Sequence, residues 1–506
     1  MSEKFHIEIT NNGAPVYLKD IPSLSYHDFL AHLKNLLAEP SNHCIAYYAV
    51  KMDKKLKFFC YVAIDNTSRI AIFTHEQEFD NLVLPSLTPG NFTLHIFERE
   101  IHENHGVEFD GHPWLKPVRF PNNHYNSASK INNYPFYNIE SEELHEVGVG
   151  PIHAGIIEPG HFRFICNGEK VLHLEIQLGY QHRGIEKLFI ERDNALQRSI
   201  LSESISGDSV VAHMLAHSIL IESLAGITVP VSLQIERCIA LELERIAMHI
   251  GDTAALCGDI AYQLGQVVNE ALRTTIINTT QLWCGNRFGK GLIRAGGSNY
   301  PMTIDFIDAL LQTLEDTGKR YSEITDRIFS LPNVLSRFDG IGILTQTQAQ
   351  LIGAVGMVAR SSGMDRDIRK SHAFQYYKEY PFESITQQTG DVLARAMLRN
   401  LEVRYSIEMI KEMIRIYRQK EPTFEKPVYN YKLQPDSISI SLTEGWRGEI
   451  CHTAITNQKG EIVHYKIKDP SFHNWMALAV AVRNQEISDF PVCNKSFNLS
   501  YCGNDL

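Results

Sequence analysis

The 506-residue sequence predicts an α+β protein in two parts. A small N-terminal α+β domain covers residues 1–120, and a larger domain over 147–506 has a core bundle of long helices with flanking β-sheets. Three observations carry this division. The chain is too long for one hydrophobic core. Up to residue 120, short β-branched and aromatic runs alternate with amphipathic segments, whereas beyond residue 185 the apolar spacing becomes helical over long stretches. Between them, residues 121–146 carry Asn122, Asn123, Asn126, Asn132 and Asn133 with Ser127 and Ser129, a turn-prone composition expected of a surface linker.

The elements follow in order. Residues 26–37 have helical spacing, and 44–50, 56–64 and 92–97 have strand composition. In the larger part, 161–166 and 171–178 alternate around Asn167-Gly168, a strong hairpin signal. Helices are expected over 210–225, 232–255, 303–329, 345–360 and 391–418. Strands then follow over 437–442, 449–455 and 462–467, and a last helix over 472–482.

Composition narrows the function. A formal net charge of −11 and the absence of a long Lys/Arg run argue against nucleic acid or an anionic membrane surface as the main partner. The opening residues lack the layout of a signal peptide, and the most apolar stretch, 213–233, is interrupted by His217, Ser218 and Glu222. A cytoplasmic chain without a membrane span is expected. Its nine cysteines include no C-x-x-C pair, and scattered single cysteines in an intracellular chain are usually buried and inert.

Three separated segments carry a specific signal: Gly150-Pro151-Ile152-His153, Arg183-Gly184-Ile185-Glu186-Lys187, and Ser204-Ile205-Ser206-Gly207-Asp208-Ser209. With Glu244-Arg245-Ile246-Ala247, Arg366-Asp367-Ile368-Arg369 and Glu444-Gly445-Trp446-Arg447-Gly448-Glu449 further on, the chain resembles the large subunits of energy-converting membrane-bound nickel-iron hydrogenases. That family includes formate hydrogenlyase and the quinone-site subunit of respiratory complex I. The run Glu98-Arg99-Glu100-Ile101-His102-Glu103, followed by Gly111-His112-Pro113, resembles the small peripheral subunit of complex I, which is fused to the large subunit in formate hydrogenlyase. This part is expected to act as a scaffold.

The resemblance implies four thiolates around a nickel-iron centre, because soft sulfur binds and bridges those metals. The matching positions are Ser206 and Ser209, then Ser500 and Gly503 within Asn498-Leu499-Ser500-Tyr501-Cys502-Gly503; sliding the register recovers Cys502 at most. A serine hydroxyl does not replace a thiolate for a soft metal, so no nickel-iron site is expected. The family's cleaved C-terminal extension is likewise not expected beyond Asn504-Asp505-Leu506. The residues themselves leave two readings for Asp208 and Ser209: helix N-caps before Val210-Val211-Ala212, or contacts to a ligand in a polar pocket with Ser206 and Ser500.

By the same resemblance, Glu186 matches a glutamate that passes protons from the metal site, while a salt bridge to Arg183 or Lys187 is the alternative. Of the pair that holds a quinone head group in complex I, the tyrosine position matches His217 and the histidine position falls near Pro159, with His161 close by. Both histidines are candidates to donate to a carbonyl ligand or to be satisfied core residues. His153 lies in a loop that faces the iron-sulfur subunit in the family. The implied partners are an iron-sulfur small subunit carrying a [4Fe-4S] cluster and antiporter-like membrane subunits, with a quinone or another small acceptor in the cavity. Two function classes follow: a subunit coupling electron transfer to proton movement, and a redox-inactive structural subunit of a membrane-bound complex.

Overall fold

The computed structural model describes residues 5–52, 54–121, 125, 130–153, 157–420, 422 and 424–506. In the N-terminal part, strands Ile7–Ile9, Arg69–Glu78, Lys55–Ile64 and His43–Met52 form an antiparallel series, with Ser23–Leu24 added in parallel to Arg69–Glu78. Helix Tyr26–Leu37 covers one face, and its start is fixed by Ser25 Oγ, which accepts the Asp28 N–H at 3.1 Å. Phe29 and Leu33 pack there against Tyr47, Phe58 and Phe73. The opposite face sends Tyr48, Phe59 and Tyr61 into the main core of the molecule. A sheet buried on both faces reads as continuous apolar runs rather than alternation, as 44–50 and 56–64 do.

One expectation here fails. Residues 92–97 form a 3-10 turn, Phe92–Leu94, running into helix His95–His105. The Asn91 side chain accepts the Thr93 N–H at 3.1 Å and starts the turn, and Ile96, Phe97 and Ile101 then bury one helical face. Capping and burial override the strand preference of the aromatic residues.

The larger part is built on long helices, Val210–Ala225, Val231–Asp259, Gln263–Cys284, Ile304–Ile328 and Val392–Gln419. Gln263–Cys284 is unforeseen in the sequence. Leu264, Val267 and Leu282 face solvent, so apolar residues on both sides blur the helical period. The helix expected over 345–360 is two, Gln346–Ile352 and Gly356–Ser361. Gly353 ends the first at φ 72°, and Gly356 passes so close to Gly448 that a Cβ would lie 2.1 Å from its Cα.

Two sheets flank the helices. The hairpin His161–Asn167/Lys170–Gln177 gains a third strand, His145–Val149, so the expected linker ends inside a sheet. Strands Ile462–Lys468, Glu449–Thr456 and Ser437–Glu444 form the other, whose edge is completed by Val16–Tyr17 from the N-terminal part. The two parts therefore share a sheet and a core. Side chains also join them, with His43 Nε2 at 2.7 Å from Glu449 and His372 Nε2 at 3.0 Å from Asp65.

A charged cluster sits in the middle of the bundle. Arg360 holds Glu402 at 2.5 Å and Glu444 at 2.7 Å, while Arg369 holds Asp367 at 2.7 Å and Glu242 at 3.0 Å. Arg245 reaches Glu242 at 3.2 Å, and His249 Nε2 lies 2.7 Å from Glu402. Burial pushes the Glu444 carboxyl up to about 7, with Asp367 adding to it, whereas Glu402 is held well below the ordinary range by Arg360 and His249 despite burial. A proton on Glu444 balances four carboxylates against three guanidinium groups. Among the described residues no helix is long and apolar enough to cross a membrane.

Candidate functional site: two cavities either side of the C-terminal helix

The short helix Tyr501–Asp505 forms a partition between two cavities. Ser500 Oγ caps it by accepting the Gly503 N–H at 2.9 Å, and Asp505 pins it by accepting N–H groups of Gly179 and Gln181, each at 2.9 Å. The first cavity holds about 580 Å³, with His153, Asp208, Arg447, Ser500 and Cys502 in its wall. The second holds about 620 Å³, with Glu100, Arg183, Glu186, Tyr465, Lys466 and Leu506 in its wall.

The first cavity has Ser500 and Asp208 in its wall, with Ser206 directly behind them. Ser206 Oγ lies 3.1 Å from Ser500 Oγ and donates to Asp208 Oδ1 at 2.9 Å. Asp208 accepts a two-pronged contact from Arg447, 2.6 Å on each side. Burial works against the Asp208 charge, but the Arg447 guanidinium and the Ser206 hydroxyl more than offset it and hold the carboxyl below its usual range. Gly503 has no side chain to offer, and its place is taken. A Cβ there would meet the Asp469 carboxylate at 2.7 Å and Ser500 Oγ at 2.8 Å. The nearby Cys502 thiol is pushed up to about 11 by burial and by Glu158, which keeps it protonated.

The capping expectation is corrected. Ser209 occupies the N-cap position of Val210–Ala225, yet its side chain makes no capping bond. Glu244, one helix away, does that work by accepting the N–H of Val211 at 2.7 Å and of Ala212 at 3.2 Å. Burial pushes this carboxyl up to about 8, so it caps as a neutral acid near pH 7.

On the second cavity, Glu186 accepts the Ile467 N–H at 2.9 Å and lies 3.0 Å from Lys466 Nζ, which also reaches Glu100 at 2.5 Å. Lys466, not Arg183 or Lys187, is the cation it meets. Lys187 lies 3.5 Å from Glu191, and Arg183 donates to the carbonyls of Ile205 at 2.8 Å and Cys502 at 3.1 Å. Arg183 thereby ties the serine loop to the partition helix.

The remaining candidates separate. His153 lies in the wall of the first cavity, its Nε2 3.5 Å from the Tyr501 hydroxyl. His161 turns away, its Nδ1 3.0 Å from the Gly150 carbonyl and its ring edge-on to Phe136. His217 is buried, with Nδ1 2.9 Å from the Tyr465 hydroxyl. Sequence reasoning passed over Arg447, Lys466 and Asp469. The Gly-Trp-Arg-Gly block was visible, but which carboxylate its arginine would meet depends on a loop more than 200 residues away.

Comparison with known proteins identifies relatives of both parts of the chain. Residues 266–434 match the family described as "Respiratory-chain NADH dehydrogenase, 49 Kd subunit", and residues 20–134 match "Respiratory-chain NADH dehydrogenase, 30 Kd subunit". The carbon monoxide-induced hydrogenase of Rhodospirillum rubrum is 32% identical over 357 residues, spanning 70% of this chain and 96% of that protein. Formate hydrogenlyase subunit 5 of Escherichia coli (strain K12) is 27% identical over 483 residues, spanning 92% of this chain and 82% of that protein. Among solved structures, a chain of the membrane-bound sulfane sulfur reductase, an archaeal respiratory membrane complex, shares the fold with a TM-score of 0.67 at 20% identity, covering 73% of this chain and all of that one.

Proposed function

The chain belongs to the family of membrane-bound hydrogenase large subunits related to the 49-kDa subunit of respiratory NADH dehydrogenase, with a 30-kDa-subunit-like part fused in front, and from that premise we propose that it is a peripheral, cytoplasmic-face subunit of a membrane-bound oxidoreductase complex. In this reading it takes electrons from a [4Fe-4S] cluster on an iron-sulfur small subunit. It passes them to a quinone or another small acceptor in the first cavity, and antiporter-like membrane subunits move the coupled ion.

The observation that carries the reading is the first cavity, about 580 Å³, walled by Asp208, Arg447, Ser500 and His153, with Ser500 one of the positions that the family resemblance matches to a metal ligand. A nickel-iron centre does not fit this donor set. Ser206, Ser209 and Ser500 offer hydroxyls, and the Asp469 carboxylate fills the space where a side chain at position 503 would begin. Arg447 and the Ser500 hydroxyl can orient an oxygen-bearing acceptor. Ile152, 86% exposed, and Ile157, 46% exposed, leave apolar surface beside the cavity where the cluster-bearing partner would dock.

The test is isolation of the tagged chain from native membranes in mild detergent, followed by mass spectrometry and low-temperature electron paramagnetic resonance. A small partner with a reducible [4Fe-4S] signal is expected, on an interface of about 2,000 Å² or more, and Ile152→Asp should release it. A stable, monodisperse free chain would overturn the proposal. A complex whose cluster reduces no acceptor would favour the structural role, which the tight packing of Asp469 against Gly503 also supports.

A further inference from the structure

Between the two cavities runs an unbroken line of buried proton-exchanging groups. Asp469 Oδ2 lies 3.2 Å from His213 Nε2, and His213 Nδ1 lies 3.1 Å from His452 Nε2. His452 Nδ1 lies 2.9 Å from the Tyr465 hydroxyl, which is 2.9 Å from His217 Nδ1. Three elements place them. His213 and His217 are one turn apart on helix Val210–Ala225, and His452 and Tyr465 stand diagonally on adjacent strands, since Tyr465 pairs with Ala454. At one end, Asp469 and Ser500 flank Gly503, each within 2.8 Å of where a Cβ there would sit, and Ser500 is in the wall of the first cavity. Toward the other, Tyr465, the fourth group, is in the wall of the second cavity, and His217, the last, lies buried behind it, both rings against Phe189 at 4.1 Å and 5.3 Å between centroids.

Nothing about packing requires such a line. Five polar side chains in succession, all nearly or fully buried, are costly unless each donor meets an acceptor. One assignment satisfies every bond with neutral imidazoles. His213 Nε2–H donates to the Asp469 carboxylate, His452 Nε2–H donates to His213 Nδ1, the Tyr465 hydroxyl donates to His452 Nδ1, and His217 Nδ1–H donates to the Tyr465 oxygen. Every bond then points the same way, toward the first cavity. Burial favours uncharged imidazoles, driving His452 well below its ordinary range and His217 down to about 3, while the His213 hydrogen bond and the Arg447 guanidinium hold Asp469 below the usual range despite burial.

We propose that Asp469, His213, His452, Tyr465 and His217 form a directional proton relay that delivers protons from the side of the Glu186 cavity to the acceptor cavity, a role that rests on the proposed function. One proton enters at His217 Nε2, and each group passes its own proton on: His217 Nδ1 to the Tyr465 oxygen, Tyr465 to His452 Nδ1, His452 Nε2 to His213 Nδ1, and His213 Nε2 to Asp469. Four N–H or O–H bonds break and five form, the fifth to the entering proton at His217 Nε2, so that the line as a whole gains one proton, held at Asp469, and no electron moves. Asp469 then donates toward Ser500 and an acceptor that has been reduced there. Ser500 stands at the acceptor side with Asp469 behind it across Gly503, and Tyr465 acts as the gate between the histidines.

The test needs no turnover, so it stands or falls apart from the proposed function. In the full chain labelled with ¹⁵N-histidine, nitrogen shifts should report Nε2–H tautomers for His213 and His452 and an Nδ1–H tautomer for His217. The ring protons of His213 and His452 should exchange with solvent despite their burial. Tyr465→Phe, which keeps the stack on Phe189, should slow that exchange at His452 at least about tenfold with the melting temperature little changed. An Nδ1–H tautomer at His213 or His452, or exchange indifferent to Tyr465→Phe, would overturn the relay. In an active complex the same variant should slow acceptor reduction with an enlarged solvent isotope effect. Unchanged turnover there would sink the relay and leave the electron-transfer reading intact.

Discussion

The bundle interior and the first cavity both bury carboxylates beside arginines, yet they are built differently. Around Arg360 each charge is closed off by several partners within the protein, and Glu402 alone faces Arg360 at 2.5 Å and His249 at 2.7 Å. Around Ser206, Asp208 keeps 35% of its side chain exposed opposite one buried arginine, and the serine hydroxyls are joined to each other by a single contact of 3.1 Å. The bundle cluster has no opening for a ligand and serves the fold, even though Arg360 Nε and His249 Nδ1 lack a partner there. The cavity cluster is paired within itself too, with Arg447 on Asp208 and Asn498 and Ser206 on Asp208, but it stands in the wall of a cavity that a ligand can enter. Charged motifs in the sequence thus divide by whether the fold leaves a cavity beside them, not by residue type.

The largest effect that would break this contrast is in the bundle. Arg360→Met strands Glu402 and Glu444 and should cost about 3–5 kcal/mol in urea unfolding; a loss under about 1 kcal/mol would show that the cluster does not serve the fold. Next is Glu244. Its folded carboxyl is raised to about 8 against an ordinary 4.5, so the native chain holds a proton that the unfolded chain has released between those values. Stability should therefore fall as pH rises through that window, by up to about 2.7 kcal/mol over two pH units from this group. Unfolding at pH 5.5 and 7.5 should show a shallower fall in Glu244→Gln, and an identical slope would mean that Glu244 is ionised in the fold.

Smaller changes sharpen the cavity side. Gly503→Cys restores a thiol to the matched position but drives its Cβ into Asp469, which His213 and Ser471 hold in place, and should cost about 1–3 kcal/mol. A neutral result would show that the space is not filled. Ser500→Ala removes a cap and should cost only about 1 kcal/mol in thermal unfolding, while weakening acceptor binding in the complex; a stability loss as large as that of Arg360→Met would move the serine into the structural class.

Much of the architecture was legible in the sequence. Helix Val210–Ala225 and the hairpin around Asn167 and Lys170 follow from period and turn chemistry, which are local. The failures were also physical. Residues 92–97 become helical through an Asn91 cap and burial, and the exposed apolar residues of Gln263–Cys284 hide its period. At the site, Ser206, Asp208, Ser500 and His153 converge as a group, but Glu186 meets Lys466 and His217 joins the Tyr465 line, because those partners lie on a strand some 250–280 residues further along. Tertiary pairing of this kind leaves no local signal. A His452 and a Tyr465 on neighbouring strands give no hint of His213 until the helix is laid across them.

The most direct test of the account is metal analysis of the complex purified through this chain from its native membranes, with hydrogen uptake and evolution assayed on the same sample. Iron in the proportion of [4Fe-4S] clusters, nickel far below one per complex and no hydrogen turnover are expected. Nickel near one per complex, with hydrogen activity, would contradict it.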